Sequence, residues 1–244
     1  MIVLFTDFGM GGPYVGQVHA VLAQQAPAVP VIDLFHEVPR HDIQAAAYLL
    51  PAYTRDFPPG TVFVCVVDPG VGGWRRALIL KADHRWYVGP YNGLLHILAR
   101  RARDMECYEI RWRPEQLSAS FHGRDLFAPV AAQLVHGLMP DCVPTALTPP
   151  LPDWPEDLPQ VLYIDHFGNA ITGLRAEHLE RDVRLRIGET DLAYARTYSD
   201  VRAGQGFWYE NANGLVEIAV NEARASDQLG IAVGDSIGMY DALI

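Results

Sequence analysis

The sequence predicts an α/β fold in which an N-terminal α/β domain with a central, mostly parallel sheet precedes a smaller domain of β-strands. Three features predict it. Apolar runs typical of strands alternate with segments of helical period over the first half of the 244 residues. A proline-rich segment at residues 140–159 then interrupts both periods. Beyond it, short strand-like runs separated by Gly, Asn and Asp turns are typical of a small barrel or sandwich.

In the first half, each predicted strand leads through a turn to a helix or another strand. Asp42 and Asp125 precede two helices and are candidate N-caps, because a carboxylate there accepts a hydrogen bond from a free backbone N–H. Pro129 is expected in the first turn of the last helix, where its missing N–H is tolerated. Strands are predicted at residues 2–5, 29–34, 61–67, 77–81, 85–89 and 108–110, the fourth and fifth forming a hairpin, and helices at 14–22, 43–50, 94–103 and 126–135.

The proline-rich segment sets the domain boundaries. We predict an N-terminal domain at residues 1–142, a linker of polyproline-like geometry at 143–158 and a C-terminal domain at 159–244. In the C-terminal domain, strands are predicted at residues 161–165, 183–187, 192–195, 207–209, 215–220 and 236–239.

Composition and charge disfavour several classes of function. Half of the residues are hydrophobic and a fifth are charged, as in ordinary globular proteins, and no apolar run reaches 18 residues. A net charge of −10 would repel a nucleic-acid backbone. The cysteines Cys65, Cys107 and Cys142 have no disulfide or zinc-motif spacing, and the histidines show no ligand spacing. We therefore expect a cytoplasmic protein with no metal, membrane or nucleic-acid partner.

Four polar turns punctuated by glycine carry the candidate chemistry. In open α/β sheets, ligands bind beyond the carboxyl ends of the strands, and Asp7 and Asp68 follow predicted strands. Arg75 lies seven residues after Asp68 and is either its partner or a solvated neighbour. For any one turn, a purely structural role is the alternative, because Gly and Asp are common in turns. The four turns are residues 6–9, 68–72, 121–125 and 165–169.

Together with residues 90–95 and 211–221, these turns in this order resemble the S-adenosylmethionine hydrolase (SAM hydroxide adenosyltransferase) family, which also contains fluorinases and chlorinases. The resemblance runs from residue 2 to about residue 239. It implies a C-terminal β-barrel and a homotrimer that binds S-adenosylmethionine between the N-terminal domain of one subunit and the C-terminal domain of its neighbour. It also implies hydrolysis to adenosine and L-methionine, with S-adenosylmethionine as substrate and no cofactor.

By this resemblance, Asp68, Arg75 and His122 match the hydrolase triad that positions and activates water. Attack at the ribose C5′ displaces methionine as a neutral thioether, so the leaving group needs no general acid. The difficulty lies with the nucleophile, and a carboxylate and an imidazole within hydrogen-bond reach can orient water and accept its proton. Whether Asp68 or His122 accepts that proton stays open.

The remaining site residues are also assigned by resemblance. Asp7 would hold the ribose hydroxyls, and Asp165 would contact the methionine amino group. Phe167 and Asn169 would help to hold the adenine. Asn211 lies in the motif that approaches the methionine end and the base.

Two alternative functions are considered. A halogenase would use chloride as its nucleophile, and halogenases carry an uncharged residue at position 68 and Tyr-Ser at positions 122 and 123. This sequence has Asp68 and His122, and a carboxylate beside a halide would be repulsive. A non-catalytic adenosine or S-adenosylmethionine-binding protein would keep Asp7, Phe167 and Asn169 but would not need the triad. Both alternatives are therefore disfavoured.

Recognition of the methionine end is left open by the sequence. Ala212 and Asn213 stand where halogenases carry Ser-Arg.

Overall fold

The computed structural model describes residues 1–147 and 153–240, so the middle of the predicted linker, residues 148–152, lies outside the described residues. The chain divides into two compact units, Met1–Asp153 and Trp154–Ile244, each with its own hydrophobic core. No helix within the described ranges is long and apolar enough to cross a membrane.

The N-terminal unit contains a seven-stranded sheet in the order β2-β1-β3-β5-β4-β6-β7. Three pairings among the described strands are parallel and three are antiparallel, so the prediction of a mostly parallel sheet is wrong. The predicted β4–β5 hairpin is confirmed, and its two-residue turn allows only antiparallel pairing. The pairings β4–β6 and β6–β7 are also antiparallel and were not predicted. The strands are β1 Ile2–Thr6, β2 Val31–Phe35, β3 Val62–Val66, β4 Ala77–Ala82, β5 Arg85–Pro90, β6 Met105–Ile110 and β7 Cys142–Pro144.

Among the described residues of this unit, four helices and one π-helical turn accompany the sheet. Asp42 caps α2 as predicted, since its Oδ1 accepts a 2.8 Å hydrogen bond from the Ala45 N–H. Asp125 is not an N-cap, because the chain first forms the π turn and Asp125 lies within it, paired with Arg124. Pro129 does lie in the first turn of α4. The elements are α1 Tyr14–Gln25, α2 Ile43–Thr54, α3 His96–Arg101, the π turn Gly123–Phe127 and α4 Ala128–Val135.

The central strands β1 and β3 determine where polar side chains emerge from the sheet. Both are fully buried, as expected for apolar parallel strands covered on both faces. They are parallel neighbours, and Thr6 lies opposite Val66. The next polar residues, Asp7 and Asp68, therefore leave the sheet at the same edge.

The C-terminal unit consists of two antiparallel sheets, ordered β12-β13-β9-β8 and β11-β10-β14. Strand β9 was not predicted, because Gly173 interrupts its pattern. A Cβ at Gly173 would lie 2.7 Å from Leu158, so close approach of the two strands requires glycine there. The elements are β8 Leu158–Ile164, β9 Ala170–Arg175, β10 Arg184–Ile187, β11 Thr190–Leu192, β12 Gly206–Glu210, β13 Leu215–Val220, α5 Ala225–Gln228 and β14 Gly238–Tyr240.

Candidate active site

Asp68, Arg75 and His122 meet in the N-terminal unit, with Arg75 between the other two. The Arg75 Nε lies 2.9 Å from each carboxylate oxygen of Asp68, and its Nη2 donates to Asp68 Oδ2 as well. The same Nη2 lies 2.8 Å from His122 Nδ1. The Asp68 and Arg75 side chains are only 4% and 10% exposed, so this is a buried ion pair and not a solvated one.

The loop after β3 carries Asp68 and Arg75 to this point. Gly72 has a φ of +80°, and a Cβ there would collide with the backbone oxygen of Ala119. The loop therefore passes directly against the segment that leads to His122. The Arg75 guanidinium also lies 5.3 Å from the centre of the Phe127 ring, an attractive cation–π contact from the π turn.

The contact with Arg75 fixes the tautomer of neutral His122. A guanidinium has donors but no acceptor, so Nδ1 must accept the hydrogen bond and the ring proton resides on Nε2. Burial, and then the positive charge of Arg75, lower the pKa of His122 below its ordinary value of 6.5. His122 is therefore neutral at neutral pH and offers Nε2–H as a donor.

Asp7 lies in the same open cleft as Asp68 and His122. This N-terminal cleft is lined by Asp7, Phe8, Tyr14, Asp68 and His122, among others. Asp7 Oδ2 accepts a 3.0 Å hydrogen bond from the backbone N–H of His41, and the Asp7 side chain is 11% exposed. The structure thus brings Asp7, Asp68 and His122 to one cleft, as the sequence predicts.

The sequence does not predict a polar chain beside the loop that carries Asp7, because its histidines, His36 among them, show no ligand spacing. His36 is 3% exposed and lies 2.7 Å from the Thr6 hydroxyl and 2.9 Å from Asp33. The Thr6 hydroxyl accepts from the Phe8 N–H, so the chain fixes the loop that carries Asp7. Burial tends to raise the pKa of Asp33, but hydrogen bonds from His36 and His19 outweigh it and lower the pKa.

The other predicted residues, Asp165, Phe167, Asn169 and Asn211, line one pocket of the C-terminal unit, the C-terminal pocket. Asp165 Oδ1 accepts from the Asn169 N–H at 2.8 Å, and Oδ2 accepts from Asn169 Nδ2 at 3.2 Å. The Phe167 side chain is 72% exposed. This pocket therefore presents an exposed aromatic ring beside a rigid amide.

Asn211 is held by its own turn. Its Oδ1 accepts from the N–H groups of Asn213 and Leu215 at 2.9 and 3.0 Å, and its Nδ2 donates to Glu217 at 2.9 Å. One amide proton of Asn211 is left for a ligand. Its main role in this structure is to shape the turn at the pocket wall.

Glu217 lines the same pocket and was not predicted as a site residue. It is 6% exposed, and burial raises its pKa even though hydrogen bonds from Tyr209 and Asn211 oppose the shift. The signal in the sequence is one carboxylate inside the apolar strand at residues 215–220. Such a residue is costly to bury unless it is hydrogen-bonded, and Glu217 is.

Metal ligation finds no support in the side-chain arrangement of the described ranges. Within residues 1–147 and 153–240, no group of three or more His, Cys, Asp and Glu side chains is placed to hold a metal ion.

Both halves of the chain match domains of known proteins. Residues 2–143 match the N-terminal domain of SAM hydroxide adenosyltransferases, and residues 159–238 match the C-terminal domain. The chain belongs to the SAM hydroxide adenosyltransferase family. The N-terminal cleft lies in the first matched domain, and the C-terminal pocket lies in the second.

Several relatives of this chain are similar to it over nearly their full length. Proteins named (R)-S-adenosyl-L-methionine hydrolase are 40% identical in Salinispora arenicola, with 95% of this chain and 94% of that protein covered, and 40% identical in Thermus thermophilus, with 96% of each covered. The crystal structure of an uncharacterized conserved protein from Thermotoga maritima is 34% identical, with a TM-score of 0.88 over 98% of this chain and 100% of that one.

Proposed function

We propose that this chain is an S-adenosyl-L-methionine hydrolase that forms adenosine and L-methionine by attack of water at the ribose C5′. The observation that carries the proposal is the buried Asp68–Arg75–His122 arrangement at the edge of an open cleft. The family membership and the printed names of the relatives support it.

The geometry assigns different tasks to the two candidate bases. His122 Nδ1 is occupied by Arg75 and Nε2 carries a proton, so neutral His122 has no free acceptor nitrogen. Asp68 retains a free lone pair on Oδ1, because Arg75 makes one contact with Oδ1 and two with Oδ2. We therefore assign Asp68 as the proton acceptor and His122 as the donor that orients the water.

The resulting step balances without a further reactant. The water oxygen forms a bond to C5′, and the C5′–S bond breaks with its electron pair going to sulfur. The positive sulfonium becomes a neutral thioether, and the water proton passes to Asp68. Holding water in line with C5′ is the main catalytic contribution, because a positioned nucleophile avoids much of the entropy cost of a bimolecular reaction.

The remaining roles belong to the same proposal. Asp7 binds the ribose hydroxyls, Asp165 binds the methionine amino group, and Phe167 and Asn169 hold the adenine. The relatives' names specify the (R) form of the substrate, and we propose the same form here. The homotrimer with substrate bound at subunit interfaces, the closed C-terminal barrel and the cytoplasmic location remain predictions.

The first experiment distinguishes hydrolysis from the two alternatives. The purified protein is incubated with S-adenosylmethionine, with and without chloride, and the nucleoside products are separated by chromatography. We expect adenosine at the same rate in both reactions. Chlorodeoxyadenosine in place of adenosine would make the chain a halogenase. Binding of adenosine without any turnover would make it a binding protein.

A further inference from the structure

A chain of hydrogen bonds connects buried Glu217 to Asn169 across the floor of the C-terminal pocket. Glu217 Oε1 accepts from the Tyr209 hydroxyl at 2.5 Å. The hydroxyls of Tyr209 and Tyr198 are 3.2 Å apart, and Asn169 Nδ2 lies 2.9 Å from the Tyr198 hydroxyl. None of the chemistry assigned above uses Glu217, Tyr209 or Tyr198.

The Asp165 end of the chain fixes the orientation of the Asn169 amide. Both Asp165 oxygens accept from Asn169, one from its backbone N–H and one from its side chain. A carboxylate only accepts, so the side-chain atom facing Asp165 must be the amide nitrogen. Its second proton is directed to the Tyr198 hydroxyl, which therefore donates its own proton to Tyr209.

The Glu217 end requires the same direction. Asn211 cannot turn its amide over, because its Oδ1 already accepts from two backbone N–H groups. Its Nδ2 therefore donates to Glu217 Oε2, and the Tyr209 hydroxyl donates to Oε1. Each hydroxyl has one proton, so Tyr209 accepts from Tyr198. The hydrogen-bond directions required at the Asp165 end and those required at the Glu217 end are therefore the same.

This pattern leaves the Asn169 Oδ1 as the acceptor that faces the pocket. It has no hydrogen bond to another described residue, and it is not among the fully buried unpaired side-chain atoms of the described ranges. The exposed Phe167 ring lines the same pocket. A planar base stacked on Phe167 would therefore meet an acceptor at its edge, and it must supply an N–H donor.

We propose that Glu217, Tyr209 and Tyr198 are positioning residues that hold the Asn169 amide with its oxygen towards the pocket, so that the site selects a 6-aminopurine over a 6-oxopurine. The inference rests on the proposed function in one respect, since it takes the adenosyl group as the occupant. A 6-amino group donates to Oδ1, whereas a 6-oxo group would place two acceptors against each other. Sites built to hydrogen-bond a donor reject the ligand that lacks it strongly.

The test compares the affinities for adenosine and inosine, which differ at this position of the base, by calorimetry. We expect wild-type protein to bind adenosine at least about tenfold more tightly. Tyr198→Phe removes the acceptor that holds Asn169 Nδ2, so the adenosine-to-inosine preference should fall about fivefold or more. Tyr194→Phe removes a hydroxyl elsewhere in this unit, where the ring packs on Trp208, and should leave the preference unchanged.

Glu217→Gln is the isosteric second variant. Asn211 is held with its Nδ2 towards position 217. The new amide must therefore direct its oxygen to Asn211 Nδ2 and its nitrogen to Tyr209. Tyr209 would then have to donate to Tyr198, which reverses the chain and works against the orientation that Asp165 imposes on Asn169. The preference should fall in this variant as well, and Tyr198→Phe alone decides the matter if Glu217→Gln does not fold.

The outcomes separate this inference from the proposed function. Equal affinities of the wild type for both nucleosides, or an unchanged preference in folded Tyr198→Phe, would overturn the inference while leaving hydrolysis of S-adenosylmethionine untouched. Loss of the preference in the variants would support it. If the wild type shows the preference, the variants lose it and no S-adenosylmethionine is turned over, the hydrolase proposal fails while the inference about the Asn169 amide is retained.

Discussion

At the scale of single residues, Arg75 organises the proposed catalytic group. It donates to Asp68 through Nε and Nη2 and to His122 through Nη2, so one guanidinium fixes both partners. Such charge-assisted pairs are stronger and more directional than neutral hydrogen bonds. The positions of Asp68 and His122 relative to each other are therefore set before substrate binds.

Asp68→Asn tests the role of the carboxylate as proton acceptor. The amide has nearly the same shape but cannot accept the proton of the attacking water, so kcat should fall by about 10²–10⁴-fold with a small change in KM. Steady-state kinetics with S-adenosylmethionine measure both constants. The matched control is Asp56→Asn, whose side chain is 79% exposed, and it should retain wild-type kinetics. Wild-type kcat in Asp68→Asn would rule out Asp68 as the acceptor.

The protonation of His122 predicts an acid limb in the pH profile. Its pKa is lowered below 6.5 by burial and by Arg75, so the unfolded chain binds this proton more readily than the folded one. As the pH falls below 6.5, protonation removes the Nδ1 acceptor and costs folding stability. We expect kcat/KM to fall with an apparent pKa below 6.5, and we expect His122→Gln to lack this limb. A limb centred above 6.5 would contradict the assigned environment of His122.

The sequence predicted which residues meet at this site, but it could not predict how their side chains are oriented. The types and order of Asp68, Arg75 and His122 suggested a triad through resemblance, and the structure brings them together, although their roles stay predictions. Which nitrogen of His122 faces Arg75 depends on a contact between residues 47 positions apart. The sequence contains no local signal for such a contact.

At the scale of elements, the loop after β3 is the piece that a backbone change should disturb. Gly72 has positive φ and no room for a Cβ beside Ala119, whereas Gly70 has open space around its Cβ position. Gly72→Ala should destabilise the fold by about 1–3 kcal/mol and lower kcat, because it pushes Arg75 away from His122. Gly70→Ala is the matched control.

Thermal unfolding and kcat of the two glycine variants provide the measurement. If Gly70→Ala and Gly72→Ala behave alike, the tight packing of this loop against the His122 segment is not what positions the triad.

Element types were predictable where one local pattern dominates. The apolar runs of β1 and β3 and the Asp42 cap are such cases. The prediction that Asp125 is an N-cap was wrong. A carboxylate before a segment of apolar helical period is typical of an N-cap, but the π turn places Asp125 beside Arg124. Strand β9 was missed because its glycine is required by contact with Leu158, a residue distant in sequence.

At the scale of the whole molecule, the division into an α/β unit and a β unit follows from the change in composition at the proline-rich segment. The mixed pairing of the large sheet does not follow from the sequence, because no pattern in β4 predicts its position between β5 and β6. Pairing order depends on the packing of the whole sheet, and each strand pattern is compatible with several neighbours.

The proposed trimer with substrate at subunit interfaces predicts complementation between variants. Asp68→Asn disables the N-terminal cleft and Asn169→Ala disables the C-terminal pocket, so each alone should be nearly inactive. If subunits share sites, unfolding and refolding the two variants together should restore part of the wild-type turnover. Mixed samples that stay as inactive as the separate variants would argue that each site is built by a single chain.

Turnover in ¹⁸O-labelled water shows whether water attacks C5′ of S-adenosylmethionine. Mass spectrometry of the two products locates the label. We expect one ¹⁸O atom in adenosine, at the 5′-hydroxyl, and none in methionine. Adenosine without the label, or label in methionine, would contradict it.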